Sequence, residues 1–503
     1  VSVGAAMYNR NYSIVNLDPG GLVSIGGDYY QDDTAMLRFG VETNAAGAPV
    51  NALITVGGTA EFEENAQIEY ASNVGELLFD RFYTNKLIEA DTLVVAGITN
   101  ANSLDLEQLD ASGSLVDVIF WENEQDIYAL AGRKYLADSA GFADGSMMAR
   151  LSKEIDDMSL LGSADALDMI YMLNTLSGSA QHNELLQQYA YTTPGYLHIQ
   201  GMTEGLGELT KHISRRPAPA PEGAAGPYNA DRGARGWIRP YGHWSDRSDQ
   251  DGFSGYDHNV YGTLVGIDWV QDHVLLGVAG GYARSDIDQD DGRDSQADTG
   301  YGVFYASVGT QDWFGDVSVA FGRSDIEDDS GTVFGSEADY DANNYALYVG
   351  GGKEMRSRSG MFFFTPQASL LMSQYQQNSY TEKMGTGVAR EVDAYDYSSV
   401  VSSLGAAVAM QQDYENLTLR PELRLRWLHE FNDDEEKIDF TLLQGMGGEY
   451  FSLMPAAEED ILEAGAGLSC GFDNAWALML DLDWRFGEDY DAYSVSGRAV
   501  YEF

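Results

Sequence analysis

The sequence predicts a mainly β protein. About twelve antiparallel strands in its C-terminal half would close as a transmembrane barrel, preceded by a short helical region and the end of a β-solenoid. Three observations predict it. The chain ends on strict alternation: Tyr493, Val495, Gly497, Ala499, Tyr501 and Phe503 are aromatic, small or apolar, and the residues between are mostly polar. In Trp476-Ala-Leu-Met-Leu-Asp-Leu-Asp-Trp484 the alternate residues are Trp, Leu, Leu, Leu and Trp, a hydrocarbon centre between two aromatic ends. Connections between such segments also alternate. Gln271-Asp-His273 and Gln311-Asp312 are tight, whereas 286–298, 325–339 and 432–460 are longer and acidic.

Bulk properties narrow the function. A chain of 503 residues exceeds one ordinary core. Its formal charge of -50 argues against nucleic acid, whose phosphates need basic partners. One cysteine, Cys470, excludes an internal disulfide. No apolar run reaches the length of a membrane-spanning helix, but barrel strands are only half apolar. No signal peptide is visible at Val1, so an exported protein would be represented here by a mature or trimmed chain.

Residues 1 to 115 read as short strands broken by Gly, Asn and Asp, such as 53–56, 66–70, 76–79 and 92–95. A solenoid or a sandwich would use such strands, and the solenoid is preferred. Residues 115–136 read as a hairpin covering the last coil, since an open β edge invites aggregation. From about 143 the period becomes helical, with Ser163 and Ser179 placed as N-caps. Residues 197–216 follow, with Ile199, Met202, Leu206, Leu209 and Ile213 on one apolar stripe. Gly201 and Gly205 weaken that helix by about 1 kcal/mol each relative to Ala, which points to tight quarters or flexibility. Residues 217–227 form a Pro-rich linker, and alternation dominates from there to the end.

Gly236-Trp-Ile-Arg-Pro-Tyr-Gly-His-Trp244, 256–269, Leu275-Leu-Gly-Val-Ala-Gly-Gly-Tyr282, Leu423-Arg-Leu-Arg-Trp-Leu-His-Glu-Phe431 and Tyr501-Glu-Phe503 together resemble the translocator domain of monomeric autotransporters, the type V secretion family. The resemblance covers roughly 140–503 and, more loosely, the strands before it. It implies that 1–136 is the C-terminal part of a β-helical passenger with a capping, autochaperone-like end. It further implies that 137–196 is a helical connector, 197–235 a lumen helix and linker, and 236–503 the outer-membrane barrel. The implied partners are outer-membrane lipid, the barrel-assembly machinery, periplasmic chaperones and the chain's own passenger, with a monomeric barrel. Some relatives cleave themselves at an Asn pair in the lumen helix. The pair here, Asn343-Asn344, falls in the barrel, so that cleavage is not expected.

The expected site residues follow. Ile199, Met202, Gly205, Leu206, Leu209, Lys211, Ile213, Arg215 and Arg216 form the lumen helix, with Arg215 and Arg216 holding it by ion pairs to wall carboxylates such as Asp268, Asp481 and Asp483. Val495, Tyr501 and Phe503 form the assembly signal. Trp237, Trp269, Trp313, Trp476 and Trp484 form the aromatic girdle. His243 and His429 are read as hydrogen-bonded lumen residues. No cofactor and no catalytic or metal site is expected: the acidic stretch from Asp286 places its Gly one position late for a calcium loop, and the His residues are scattered. The function expected is an outer-membrane translocator that exports its own N-terminal part and is not itself an enzyme. The alternatives are a porin-like channel with a periplasmic domain, or a surface adhesin whose solenoid is the working part.

Overall fold

Parallel pairing organises the N-terminal part of the chain. The computed structural model describes all residues except 44–48, 71–82, 101–115, 134–135, 137–139, 215–231 and short breaks at 144, 162, 175–178, 194, 250–252, 272, 310–311, 433–434, 455 and 473–474. The expected strand at 76–79 and the Pro-rich linker therefore lie outside the described residues. Two compact units result, one of residues 1–191 with 386–388 and 442–450, the other of the remaining 192–503.

In the first unit, Leu22 pairs with Leu53 and Ile54 with Ile88 in parallel register, while Ile14 pairs with Met36 and Gln67 with Met36 on a second face. Each partner sits about 20–35 residues further on, the spacing of a solenoid in which each coil covers its neighbour. Inward residues stack into a dry core that includes Ile25, Leu37, Phe39, Ile54, Phe62, Ile68 and Tyr70. A sandwich would have required antiparallel pairs. Among the described residues antiparallel pairing is confined to the short ribbon Val41–Thr43 with Pro49–Asn51 and to the far edge of this sheet, where Val116–Glu122 and Asp126–Arg133 form a hairpin laid along Tyr83–Val95. The hairpin closes the edge that the last coil leaves open. Asp126 sits at its turn. Burial works to raise the Asp126 pKa, but a hydrogen bond from the Tyr128 hydroxyl at 2.7 Å, Lys86 at 3.1 Å and Asn123 outweigh it, and the carboxyl titrates below its ordinary value.

Among the described residues three helices follow in this unit: α1 (Met147–Leu160), α2 (Ala164–Asn174) and α3 (Ser179–Ala190). Ser146 caps α1 by accepting from the Ala149 N–H at 3.1 Å, and the Ser163 hydroxyl accepts from Ala166 N–H at the start of α2. The Glu154 carboxylate of α1 accepts from the Met446 N–H at 2.5 Å and from the Tyr450 hydroxyl, tying segment 442–450 to the helices. Among the described residues no helix is long and apolar enough to cross a membrane.

The second unit is a closed antiparallel barrel of 12 strands. They are β1 (Arg232–Arg247), β2 (Tyr256–Gln271), β3 (Val274–Gln289), β4 (Arg293–Gly309), β5 (Trp313–Ser330) and β6 (Ser336–Lys353). The wall continues through β7 (Phe362–Gln377), β8 (Tyr395–Met410), β9 (Leu417–Glu430), β10 (Asp460–Phe472), β11 (Trp476–Phe486) and β12 (Tyr490–Glu502). The sheet closes where β12 pairs with β1, from Arg235↔Glu502 to Arg247↔Tyr490, so no edge remains. The wall begins at Arg232, a turn earlier than the expected start at 236, because β1 pairs with β2 down to Gln271.

Several strands run 16–18 residues, longer than the roughly 9–11 that cross a membrane. The surplus is readable on the outer face. Asp491, Asp246, Asp257, Asp288, Asp294, Asp329 and Glu337 occupy successive cross-strand positions and all point outward. Carboxylates placed opposite one another cannot be held in hydrocarbon, so this row marks where the strands have left the bilayer. One outward step below it, Trp244 and Tyr493 stack with ring centroids 5.0 Å apart. Trp484 pairs with Tyr493, and Trp427 on β9 is also exposed outward. Near the opposite rim Trp269, Trp313 and Trp476 are exposed outward. Trp237 is the correction: it is 4 % exposed and faces the lumen, where its indole N–H donates to Asp268 at 3.0 Å and to the Tyr305 hydroxyl at 2.9 Å. Its neighbours Ile238 and Pro240 take the lipid face, and alternation then turns Trp237, Arg239, Tyr241 and His243 inward.

Candidate functional site

The site is the lumen. A short 3₁₀ turn, Gly195–Ile199, leads into α4 (Gln200–Ser214), which runs inside the wall. The helix thus starts three residues later than the sequence reading placed it. Ile199, Met202, Leu206 and Leu209 are all buried. The side chains of His212 and Ile213, and residues Arg215 and Arg216, lie outside the described residues, so the ion pairs expected of the two arginines are not placed.

Close packing on one side explains the two glycines. A Cβ at Gly205 would collide with the Tyr301 ring and hydroxyl, and one at Gly201 would stand 3.4 Å from Ala283 Cβ. The Tyr241 hydroxyl donates to the Gly201 carbonyl at 2.8 Å and lies 2.9 Å from the Tyr301 hydroxyl. The helix backbone is thereby pressed against tyrosines of β1 and β4. Just before the helix, the ring nitrogens of His198 lie 2.8 and 2.7 Å from the Ser285 and Ser295 hydroxyls.

Charge fixes the other side. Glu208 meets Arg239 of β1 and the Ser496 hydroxyl of β12. Lys211 bridges Glu208 and Asp483 of β11. Glu204 meets Arg485 of β11. The wall partners are themselves paired: Arg239 with Asp481 at 2.8 Å, Arg424 with Asp481 at 3.1 Å and Asp483 at 2.7 Å, and Arg426 with Glu463 at 2.8 Å. Low-dielectric surroundings make such a network strong when complete and costly when broken. The acids of the helix, Glu204 and Glu208, were legible as polar positions off the apolar stripe. Their basic partners Arg239 and Arg485 were not singled out; the signal was there in arginines at inward parity opposite strongly apolar outward residues. His243 faces the lumen with Nδ1 3.8 Å from Glu204, whereas His429 faces outward, against the reading that put both inside.

The helix does not fill the lumen. A cavity of about 250 Å³ remains beside it, lined by Thr203, Ser373, Val401, Ser403, Arg426 and Leu428 among others. The helix therefore leans on β1–β6 and β11 and leaves water-sized space toward β7–β9.

At the seam, Val495 and Tyr501 point outward, and the Phe503 N–H donates to Ala234 O at 3.0 Å. The Phe503 ring packs edge-on to Tyr501 and within 3.3 Å of where a Cβ on Gly236 would stand. The outward residues Tyr493, Val495, Gly497, Ala499 and Tyr501 of β12 carry no charge and belong to the lipid face, whereas Arg498 points inward. Val495→Lys is expected to cost about 2–4 kcal/mol and to reduce the heat-modifiable folded band of the full chain in outer membranes severalfold. Asp491→Lys, at the wet end of the same face, is expected to leave that band unchanged; equal loss in both would refute the depth assignment.

Residues 236–483 match the family described as Autotransporter beta-domain. An extracellular serine protease of Serratia marcescens is 25% identical over 286 residues, 54% of this chain and 26% of that protein. A second protein of the same description and organism is 24% identical over 284 residues. The chain thus spans about a quarter of the length of these curated relatives. Among solved structures, the translocator domain of the autotransporter NalP from Neisseria meningitidis is matched at 16% identity and TM-score 0.45, over 60% of this chain and 96% of that one. The β-domain of the Bordetella autotransporter BrkA is matched at 19% identity and TM-score 0.43, over 54% of this chain and 100% of that one. The family match over residues 236–483, nearly the whole of the closed wall, makes this barrel an autotransporter β-domain, a domain of the outer membrane.

Proposed function

We propose that the chain anchors itself in the outer membrane and carries its own N-terminal part to the cell surface. The observation that carries this reading is the helix α4, held inside a wall that closes without a partner chain. A helix so placed joins what precedes it to the barrel through the pore. In this reading 1–136 is the end of the exported passenger, its hairpin at 116–133 a cap on which the coils fold outside the cell. Residues 137–196 are the connector, 197–231 the tether, and 232–503 the anchor. The barrel is a monomer, inserted by the barrel-assembly machinery after escort by periplasmic chaperones, and Val495, Tyr501 and Phe503 supply its recognition strand.

No enzymatic activity is assigned. The protease named among the relatives is matched over 26% of its length, and the name describes the whole of that protein.

The porin-like alternative puts residues 1–136 in the periplasm, and one experiment separates the two. An epitope placed in the exposed turn at Asn11-Tyr12 of the full chain, expressed behind a signal peptide, is expected to be cut by protease added to intact cells. Protection in intact cells, with cleavage only after the outer membrane is permeabilised, would overturn export.

A further inference from the structure

His429 lies on the outside of the barrel, in company that its position in sequence does not reveal. The outward residues of β9 run Leu423, Leu425, Trp427, His429, the first three strongly exposed and apolar. Across the ladder, Trp427 pairs with Leu462 and His429 pairs with Asp460 of β10. Glu459 is the next residue out. His429 Nδ1 is 3.0 Å from Asp460 Oδ1 and 4.0 Å from Glu459 Oε1. One donor atom from each of the three residues lies within 4.8 Å of the other two. The Trp427 indole N–H donates to the same Asp460 oxygen at 2.8 Å.

Two carboxylates and an imidazole nitrogen at this spacing are the donor set of a divalent transition cation, with coordination positions left for water. The ion would offset the repulsion between Glu459 and Asp460, and the indole N–H holds the Asp460 carboxylate in orientation, as outer groups do around metal ligands. The place also matters. His429 is the last but one residue of β9 and Asp460 begins β10, so the two stand at the base of the long connection 431–459. They stand one outward step beyond the Trp427 girdle, clear of hydrocarbon.

We infer that His429, Glu459 and Asp460 bind a divalent cation of the zinc, nickel or cobalt class on the outer wall of the barrel, stapling the base of the 431–459 connection. The probe is Ni²⁺, which quenches nearby tryptophan; the Trp427 ring centroid is 5.5 Å from that of His429. The full chain, without an affinity tag, is folded in detergent and titrated with NiCl₂ while its emission is followed. A saturable partial quench is expected, absent in Trp427→Phe. His429→Gln and Asp460→Asn should each raise the midpoint at least tenfold while the heat-modifiable folded band stays as in the parent. Glu459→Gln, at an exposed position ahead of the strand, serves where either variant folds poorly, and should raise the midpoint severalfold. An unchanged midpoint in these variants, quenching that persists in Trp427→Phe, or quenching that never saturates would overturn the site.

Discussion

Deleting residues 200–214 raises the single-channel conductance of the barrel severalfold in planar bilayers and leaves the barrel folded. The wall closes through β1–β12 pairing without help from the helix, so the strands have no need of it to hold register. The helix, with side chains, is about 10–12 Å across, and removing it opens a water path of about that width. The intact chain keeps about 250 Å³ of space on the β7–β9 side of α4, enough for water beside the helix but far less than the whole lumen. The parent is therefore expected to show small, steady openings and the deletion large ones. Heat-modifiable migration and an unchanged β circular dichroism signal would show that the wall survives. Equal conductance in the two proteins, both folded, would mean that α4 does not limit flow.

Replacing Arg239 by Met is the largest single-residue effect expected. Arg239 is fully buried and sits between Glu208 of the helix and Asp481 of the wall. Removing it leaves two carboxylates facing each other in a dry site. Breaking a buried pair in this way costs about 3–5 kcal/mol. Lys211 still reaches Glu208, and Arg424 still reaches Asp481 at 3.1 Å, so the loss should fall at the lower end of that range. The check is the temperature at which the folded band converts to the unfolded one in detergent. It should drop clearly in Arg239→Met and recover in part when Glu208→Gln is added, since the second change removes one stranded charge. A double variant as unstable as the single one would show that Arg239 acts through packing and not through charge.

Local periodicity encodes the architecture. Period two in β11, with Trp476 and Trp484 at its ends, specified a lipid-facing strand because a pleated backbone puts every second side chain on the same face. The long connection 431–459 was legible, whereas 286–298 and 325–339, read as long loops, are mostly strand with turns at 290–292 and 331–335, because their acidic residues alternate outward as the strands continue. The 3.6-residue stripe of Met202, Leu206 and Leu209 specified one helix. Gly201 and Gly205 announced close contact, and the tyrosines of β1 and β4 are what they contact.

Facing and partnership depend on how the sheet closes. Alternation says that Trp237 and Ile238 look opposite ways, but not which of them meets lipid, and an inner wall that must grip a helix can take an aromatic as readily as the outer one can. The same ambiguity placed His429 inside when it stands outside beside Asp460. The charged clamp was beyond local reading for a different reason. Arg239, Glu208 and Asp481 come from three different segments, and they meet because closing the sheet sets β1 beside β12, with β11 on the far side of β12, while the helix passes along their inner faces. Periodicity is a property of neighbours along the chain, and an ion pair across a lumen is a property of closure.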